Sequence, residues 1–209
     1  RTTRGEDKHD GMSMISVPTS LDGIEIRGIE TMAGREVNDV FFTDCRVPAE
    51  RLIGEQDQGW RQLMAGLNHE RLIIAAQALG MAQRAFDDVL AYVKERKQFG
   101  RPIGSFQSLK HRLADLATEI EATRLLVYDV AARSDENPGV TLPREASMAK
   151  LKATEVAKQA TLEGMQMMGG YGYATEYDME GQVRTALVTT IYGGTSEIQR
   201  EIISRTLGL

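Results

Sequence analysis

From Gln58 onward, apolar residues recur at helical spacing through three long stretches of good helix formers, roughly Gly59 to Gln98, Ser105 to Asp135 and Pro143 to Met168. Breaks of the expected kind separate them: FGRPIGS after the first, ENPG and then Pro143 after the second, MGGYGY after the third. Two shorter helices are predicted over Asp178–Thr190 and Ser196–Thr206. Long helices joined by modest loops predict an antiparallel bundle. The first fifty or so residues read differently. MSMISVP (Met12 to Pro18), GIEIRGI (Gly23 to Ile29) and DVFFTDCRVP (Asp39 to Pro48) are strand-like stretches separated by Gly, Pro, Asn and Asp. Three strands are few for an independent sheet, and the opening RTTRGEDKHD reads as a charged loop entered in mid-domain. The expected fold is mainly α: a C-terminal antiparallel helical bundle over residues 56–209, preceded by the second half of a small β domain over residues 1–55.

Composition narrows the function classes. The 209 residues carry 25 basic and 30 acidic side chains, a formal charge of −5, and are 42% hydrophobic, as in an ordinary globular protein. Mild acidity supplies no basic field for a phosphate backbone, so nucleic acid is not an expected partner. Cys45 is the only cysteine, and His9, His69 and His111 lie far apart, which excludes an intrachain disulfide and gives no metal-ligand spacing. The longest nearly apolar run, Leu72 to Ala82, is too short to span a bilayer, and the N-terminus is polar. The expectation is a cytoplasmic protein without membrane insertion. No GxSxG, HExxH, Walker or CxxC pattern supports a hydrolase or a metalloenzyme.

Four places can carry chemistry. At about 100° per residue, Leu63, Leu67, Ile74 and Met81 fall within roughly a 40° stripe of the first helix, and Glu70 falls on it too. A carboxylate on a buried face is costly unless paired, and desolvation raises its pKa toward the range of a proton acceptor; a salt bridge to an arginine is the commoner explanation. ERKQFGRPIGSFQ (Glu95 to Gln107) joins a basic helix end to a turn and a new helix start, where Arg96, Lys97 and Arg101 either complement the helix dipole or hold a phosphate. MQMMGGYGY (Met165 to Tyr173) ends a helix on paired glycines. It is no dinucleotide fingerprint, because a helix precedes the glycines instead of a strand, although bare backbone there lets a cofactor approach. IYGGTSEIQR (Ile191 to Arg200) places two glycines before a predicted Ser196 to Gln199 capping box, with backbone N–H groups free for a carbonyl oxygen or a phosphate.

Taken in order, VPTS…GIEI…DVFFTDCRVPAERLIGEQDQGW, ERKQFGRPIGSFQ, MQMMGGYGYATEY and IYGGTSEIQREIISR resemble the flavin-dependent acyl-CoA dehydrogenases. The resemblance covers essentially the whole chain. It implies the second half of the family's middle β domain followed by its C-terminal helical domain, without the N-terminal helical domain. It also implies FAD as cofactor, an acyl-CoA substrate, an electron-transferring flavoprotein as acceptor, and a homotetramer whose subunits share flavin sites. In the family's reaction a glutamate takes the α-proton of the thioester and flavin N5 accepts the β-hydride. A chain lacking half the flavin cavity is expected to be inactive alone.

Many members carry the glutamate directly before the GT of the last motif, as YEGT, where this chain has Gly193. A subset resembling isovaleryl- and long-chain-type dehydrogenases carries it on the first helix of this domain in an ERL motif, and LNHERLIIA puts Glu70 there. The resemblance thus makes Glu70 the catalytic base. By position it implies that Arg96, Gln98 and Phe99 contact FAD from a neighbouring subunit, with Gln107 in the following FAD segment, although Phe106 stands where some relatives have histidine. Gln166, Gly169 and Gly170 match the adenosine and pyrophosphate region, and Thr195 and Glu197 match flavin-contacting positions. Gly194 lies near the thioester or flavin. Asn68 and Arg71 match substrate-side positions near the CoA arm, with asparagine in place of the aspartate of some members. Two other uses of the scaffold stay open: an acyl-CoA oxidase, and a non-catalytic subunit completing a neighbour's flavin site.

Overall fold

Pro143 opens one long helix where a missing N–H costs nothing, and Gly169, with φ +61°, closes it. This helix, α3 (Pro143–Met168), is the centre of the larger of two compact units in the computed structural model, which describes residues 1–136 and 140–209. The units are Arg1–Leu67 and Asn68–Leu209. Most of the ENPG break, residues 137–139, lies outside the described residues.

In the first unit, β1 (Met14–Ile15) pairs antiparallel with β4 (Leu52–Ile53), and β2 (Ile24–Thr31) pairs with β3 (Gly34–Phe42) as a hairpin running from Ile24 opposite Phe42 to Thr31 opposite Gly34. Two expectations are corrected here. The third strand begins and ends earlier than Asp39–Pro48, and β1 joins Leu52–Ile53, which the sequence reading leaves unassigned. The reason is exposure: Ile26, Val37, Val40, Phe41 and Phe42 are all solvent-exposed, so the hairpin has no buried face and polar Asn38 and Asp39 pair as readily as apolar residues. The N-terminal loop is fastened by the Thr2 hydroxyl donating to Asp57 Oδ1 (2.6 Å) and by His9 stacked on Trp60 (3.8 Å between centroids).

The helices follow the periodicity. They are α1 (Gly59–Glu95), α2 (Gln107–Glu136), α3, the single turn α4 (Gly170–Tyr173), α5 (Met179–Thr189) and α6 (Ser196–Thr206). Helix α1 stops at Glu95 instead of Gln98, because Lys97–Gln98 (β5) turns back onto Arg101–Pro102 (β6) across Phe99 and Gly100, both at positive φ. Cross-helix pairs fix an antiparallel arrangement: Arg112 with Glu163, Lys152 with Glu119, and Arg133 with Glu145 zip α2 against α3, while Gln83 accepts from Arg124 between α1 and α2.

The core lies on an alanine face. Ala75, Ala78, Ala82 and Ala85 of α1 and Ala149, Ala153, Ala157 and Ala160 of α3 are completely buried, with Leu116, Ile120, Val127 and Val130 of α2 filling between. On α1 the centre of this face is rotated by about 65° from the stripe of Leu63, Leu67, Ile74 and Met81, of which Ile74 is still buried. Large side chains dominate a hydropathy pattern, whereas close helix packing selects the small ones. In consequence Glu70 is solvent-exposed and does not lie on the buried face that the periodicity predicts.

Candidate active site

The turn between α5 and α6 is built on glycine backbone. Gly193 and Gly194 take φ of +61° and +87°, conformations that other residues adopt only with strain. Thr195 caps α6, its hydroxyl accepting from the Ile198 N–H (3.4 Å). The cap therefore sits one residue before the predicted Ser196–Gln199 capping box, as a single side-chain cap and not a box. Ser196 is buried and donates to Glu155 Oε1 (2.7 Å), and Gln199 turns its amide onto the carbonyls of Gly193 (3.0 Å) and Gly194 (2.9 Å). A hydroxyl with a carboxylate in reach makes a stronger bond there than at a helix terminus.

Opposite this turn stands α1. A Cβ built on Gly193 would lie 2.3 Å from Ile74 Cδ1 and 3.9 Å from Glu70 Oε1, so the Glu70 carboxylate faces the turn. One helical turn contains the two substrate-side candidates as a local pair, Arg71 Nη1 donating to Asn68 Oδ1 (2.7 Å). Burial lowers the Arg71 pKa, opposed by the neighbouring Glu70 charge, and Arg71 Nε is buried without a protein acceptor among the described residues. Glu197, in the exposed first turn of α6, is held below the usual carboxylate value by backbone N–H donation and by the Thr195 hydroxyl.

A second locus lies at the other glycine pair. Arg96, Gln98, Gly169 and Gly170 line a cleft of about 690 Å³ with Tyr92, Met168 and Tyr171, and the Arg96 guanidinium sits 5.3 Å over the Tyr171 ring. Apart from the adjoining backbone, no atom of the described residues comes within 4 Å of the place where a Cβ on Gly169 or Gly170 would stand, so this backbone is open to a ligand. The structure thus brings Arg96, Gln98, Gly169 and Gly170 together. Phe99, 92% exposed at the hairpin tip, is outside the cleft lining, as are exposed Gln107 at the start of α2 and Gln166, whose carbonyl accepts the Gly169 N–H.

Lys150 is a residue the sequence reading passes over. It is wholly buried and its Nζ donates to the Gly194 carbonyl (2.8 Å). A signal exists in retrospect: Lys150 precedes Ala153 and Ala157 at helical spacing, on the face that turns out to be the core.

Known proteins are similar to this chain in sequence and in fold. Residues 57–208 match the family described as "Acyl-CoA dehydrogenase, C-terminal domain". The chain is 41% identical over 209 residues to an acyl-CoA dehydrogenase of Bacillus subtilis, covering 99% of this chain and 54% of that protein. It is 39% identical over 200 residues to the caffeyl-CoA reductase–Etf complex subunit CarC of Acetobacterium woodii, covering 94% and 52%. The crystal structure of an acyl-CoA dehydrogenase from Geobacillus kaustophilus superposes with a TM-score of 0.91 at 38% identity, covering 99% of this chain and 55% of that one. The chain spans about half the length of these relatives. The family match over residues 57–208, with 41% sequence identity and a shared fold each extending over 99% of the chain, establishes that the chain belongs to the acyl-CoA dehydrogenase family.

Proposed function

We propose that the protein to which this chain belongs catalyses FAD-dependent α,β-dehydrogenation of an acyl-CoA thioester to the trans-2-enoyl-CoA, with Glu70 as the α-proton acceptor. The observation that carries this reading is the approach of the Glu70 carboxylate to the Gly193–Gly194 turn. An exposed carboxylate edge beside bare glycine backbone leaves room for a thioester between base and hydrogen-bond donors.

The open backbone at Gly169–Gly170, beside Arg96 and Gln98, fits a dinucleotide cofactor: it offers a cationic group, an amide and space that a side chain would fill. FAD, when bound, supplies the two-electron acceptor for the β-hydrogen, which leaves as hydride. The tasks of the chain are then positional. Glu70 receives the α-proton on a carboxylate oxygen, and the electrons of that C–H bond become the new C=C bond as the β-hydrogen departs. The Gly194 backbone contributes to holding the thioester, and Asn68 and Arg71 serve the CoA arm. Arg96, Gln98, Phe99, Gln107, Gln166, Gly169, Gly170, Thr195 and Glu197 serve FAD, several of them from a neighbouring subunit of a homotetramer. That sharing accounts for two separate loci on one chain. Residues 1–55 belong, in this reading, to a middle β domain and residues 56–209 to the C-terminal helical domain.

An electron-transferring flavoprotein is the proposed partner, supported by the likeness to a subunit named as part of an Etf complex. Among the described residues no helix is long and apolar enough to cross a membrane, and a cytoplasmic location is proposed. The test is an anaerobic titration of the full-length flavoprotein with straight-chain and branched acyl-CoA thioesters, following loss of oxidised flavin absorbance. Glu70→Gln is expected to retain FAD and lose the bleaching. Bleaching at the unaltered rate in that variant would overturn the assignment of the base.

A further inference from the structure

A lysine that is 0% exposed in the middle of a helix requires a reason, because an ammonium leaves water only at high cost. The Lys150 ammonium has one polar contact among the described residues, the Gly194 carbonyl at 2.8 Å. Glu155, one turn further along α3, does not pair with it: that carboxylate is engaged by Lys158 (2.7 Å) and by Ser196 (2.7 Å). A methionine of similar length would fill the same space without desolvating a charge.

Gln199, also 0% exposed, reaches the same turn from α6 and donates Nε2 to both the Gly193 and the Gly194 carbonyls. Two buried side chains from two helices thus draw two successive carbonyls inward. The chain contains no cis peptide bond, and in a planar trans peptide the C=O and the following N–H point in opposite directions. With both carbonyls held inward, the N–H groups of Gly194 and Thr195 face away from the clamp. Neither donates to a protein acceptor among the described residues.

We propose that Lys150 is a positioning residue: with Gln199 it fixes the peptide planes of the Gly193–Gly194 turn beside Glu70, presenting the turn's outward N–H groups to the acyl substrate. The catalytic consequence rests on the proposed acyl-CoA dehydrogenation at this turn. The charged groups around the lysine are Glu155, Arg71 and Glu197, and burial lowers its own pKa.

The test uses the full-length FAD-loaded protein carrying Lys150→Met, Gln199→Met or Glu70→Gln. Hydrogen exchange of peptides spanning residues 191–198 is compared with that of α3, and flavin reduction by butyryl-, isovaleryl- and palmitoyl-CoA is followed anaerobically. Lys150→Met is expected to speed exchange in 191–198 by about tenfold and slow flavin reduction by about tenfold or more, with thioester Kd changed less than about threefold. Gln199→Met is expected to act in the same direction, and it decides the matter if Lys150→Met does not fold. Unchanged exchange in the turn overturns the proposal, and so does faster exchange with an unaltered reduction rate. Glu70→Gln separates the two readings, since it is expected to abolish reduction while leaving exchange in the turn unchanged. Full activity in Glu70→Gln together with slow reduction in Lys150→Met would remove Glu70 as the base and leave the positioning role of Lys150 standing.

Discussion

Glu70 and Gly193 face each other, the carboxylate Oε1 lying 3.9 Å from the point where a Cβ on Gly193 would stand. The position that bears the glutamate in the YEGT pattern and the glutamate that this chain carries on α1 therefore converge on one place. The 3.9 Å separation from Glu70 is ordinary contact, and what crowds a side chain at this point is Ile74. Ile74 Cδ1 lies only 2.3 Å from the same point, and the φ of +61° disfavours any side chain there.

Gly193→Ala is accordingly expected to destabilise the chain by about 1–3 kcal/mol, partly through the left-handed backbone and partly through Ile74. Shortening Ile74 to Val is expected to recover the steric part and leave the backbone part. Urea unfolding of the wild type, both single variants and the double variant should give a coupling energy of about 0.5 kcal/mol or more. Strict additivity would show that the Ile74 contact is relieved at no cost.

At the second locus two neighbouring glycines are predicted to behave oppositely. A Cβ on Gly170 meets nothing within 4 Å, whereas one on Gly172 would lie 2.5 Å from the Met165 carbonyl oxygen and 2.9 Å from Met165 Cα, backbone atoms that cannot step aside. Gly172→Ala should lower stability by about 1–3 kcal/mol. Gly170→Ala should leave Tm of the apoprotein unchanged yet weaken FAD retention in the full-length protein by about tenfold, because its methyl group fills the open backbone. Undiminished FAD affinity in Gly170→Ala would remove this cleft from the cofactor site.

Much of this was legible in the sequence, for reasons tied to particular residues. Pro143, Gly169 and the Phe99–Gly100 turn punctuate helices whose interiors are strong helix formers, so the helix positions follow from local chemistry. The facing of α1 was only partly legible by weight of hydropathy, since Leu63 outweighs Ala78 and Ala82 in any such pattern yet is exposed, while the alanines are wholly buried together with Ile74. Nor was the cap, because Thr195 and Ser196 are both good caps and Glu155, 41 residues away in the chain, decides between them. The Lys150 clamp depends on contacts from α3 to a turn 44 residues later, which no local pattern encodes.

The alanine face makes a prediction of its own. Ala82 has no exposed surface, and α1 approaches its neighbours through Ala75, Ala78, Ala82 and Ala85. Ala82→Leu adds three carbons at a fully buried position and should cost about 1–3 kcal/mol or more, read as a fall in Tm. A stabilised Ala82→Leu would mean that the face is underpacked.

Ser196 and Glu155 carry the remaining prediction, one of pH. Burial pushes the Glu155 carboxyl up, but the hydrogen bonds from Lys158 and Ser196 and the Lys158 charge outweigh it, so its pKa lies below the ordinary 4.5. A carboxylate whose folded value is depressed contributes stability that is fully present above the unfolded value and is lost as pH falls through the folded one. Ser196→Ala removes one of the two donors, so the folded value moves back toward 4.5 and the variant is less stable at neutral pH by about 1 kcal/mol. The difference from wild type should shrink as pH falls from neutral to about 3, because the protonated acid gains little from the hydroxyl in either protein. Denaturant unfolding across that range measures it, with Glu155→Gln as the reference in which this part of the pH dependence is absent. A Ser196→Ala deficit that stayed constant down to the acid limb would place its origin in the start of α6 and not in the carboxylate.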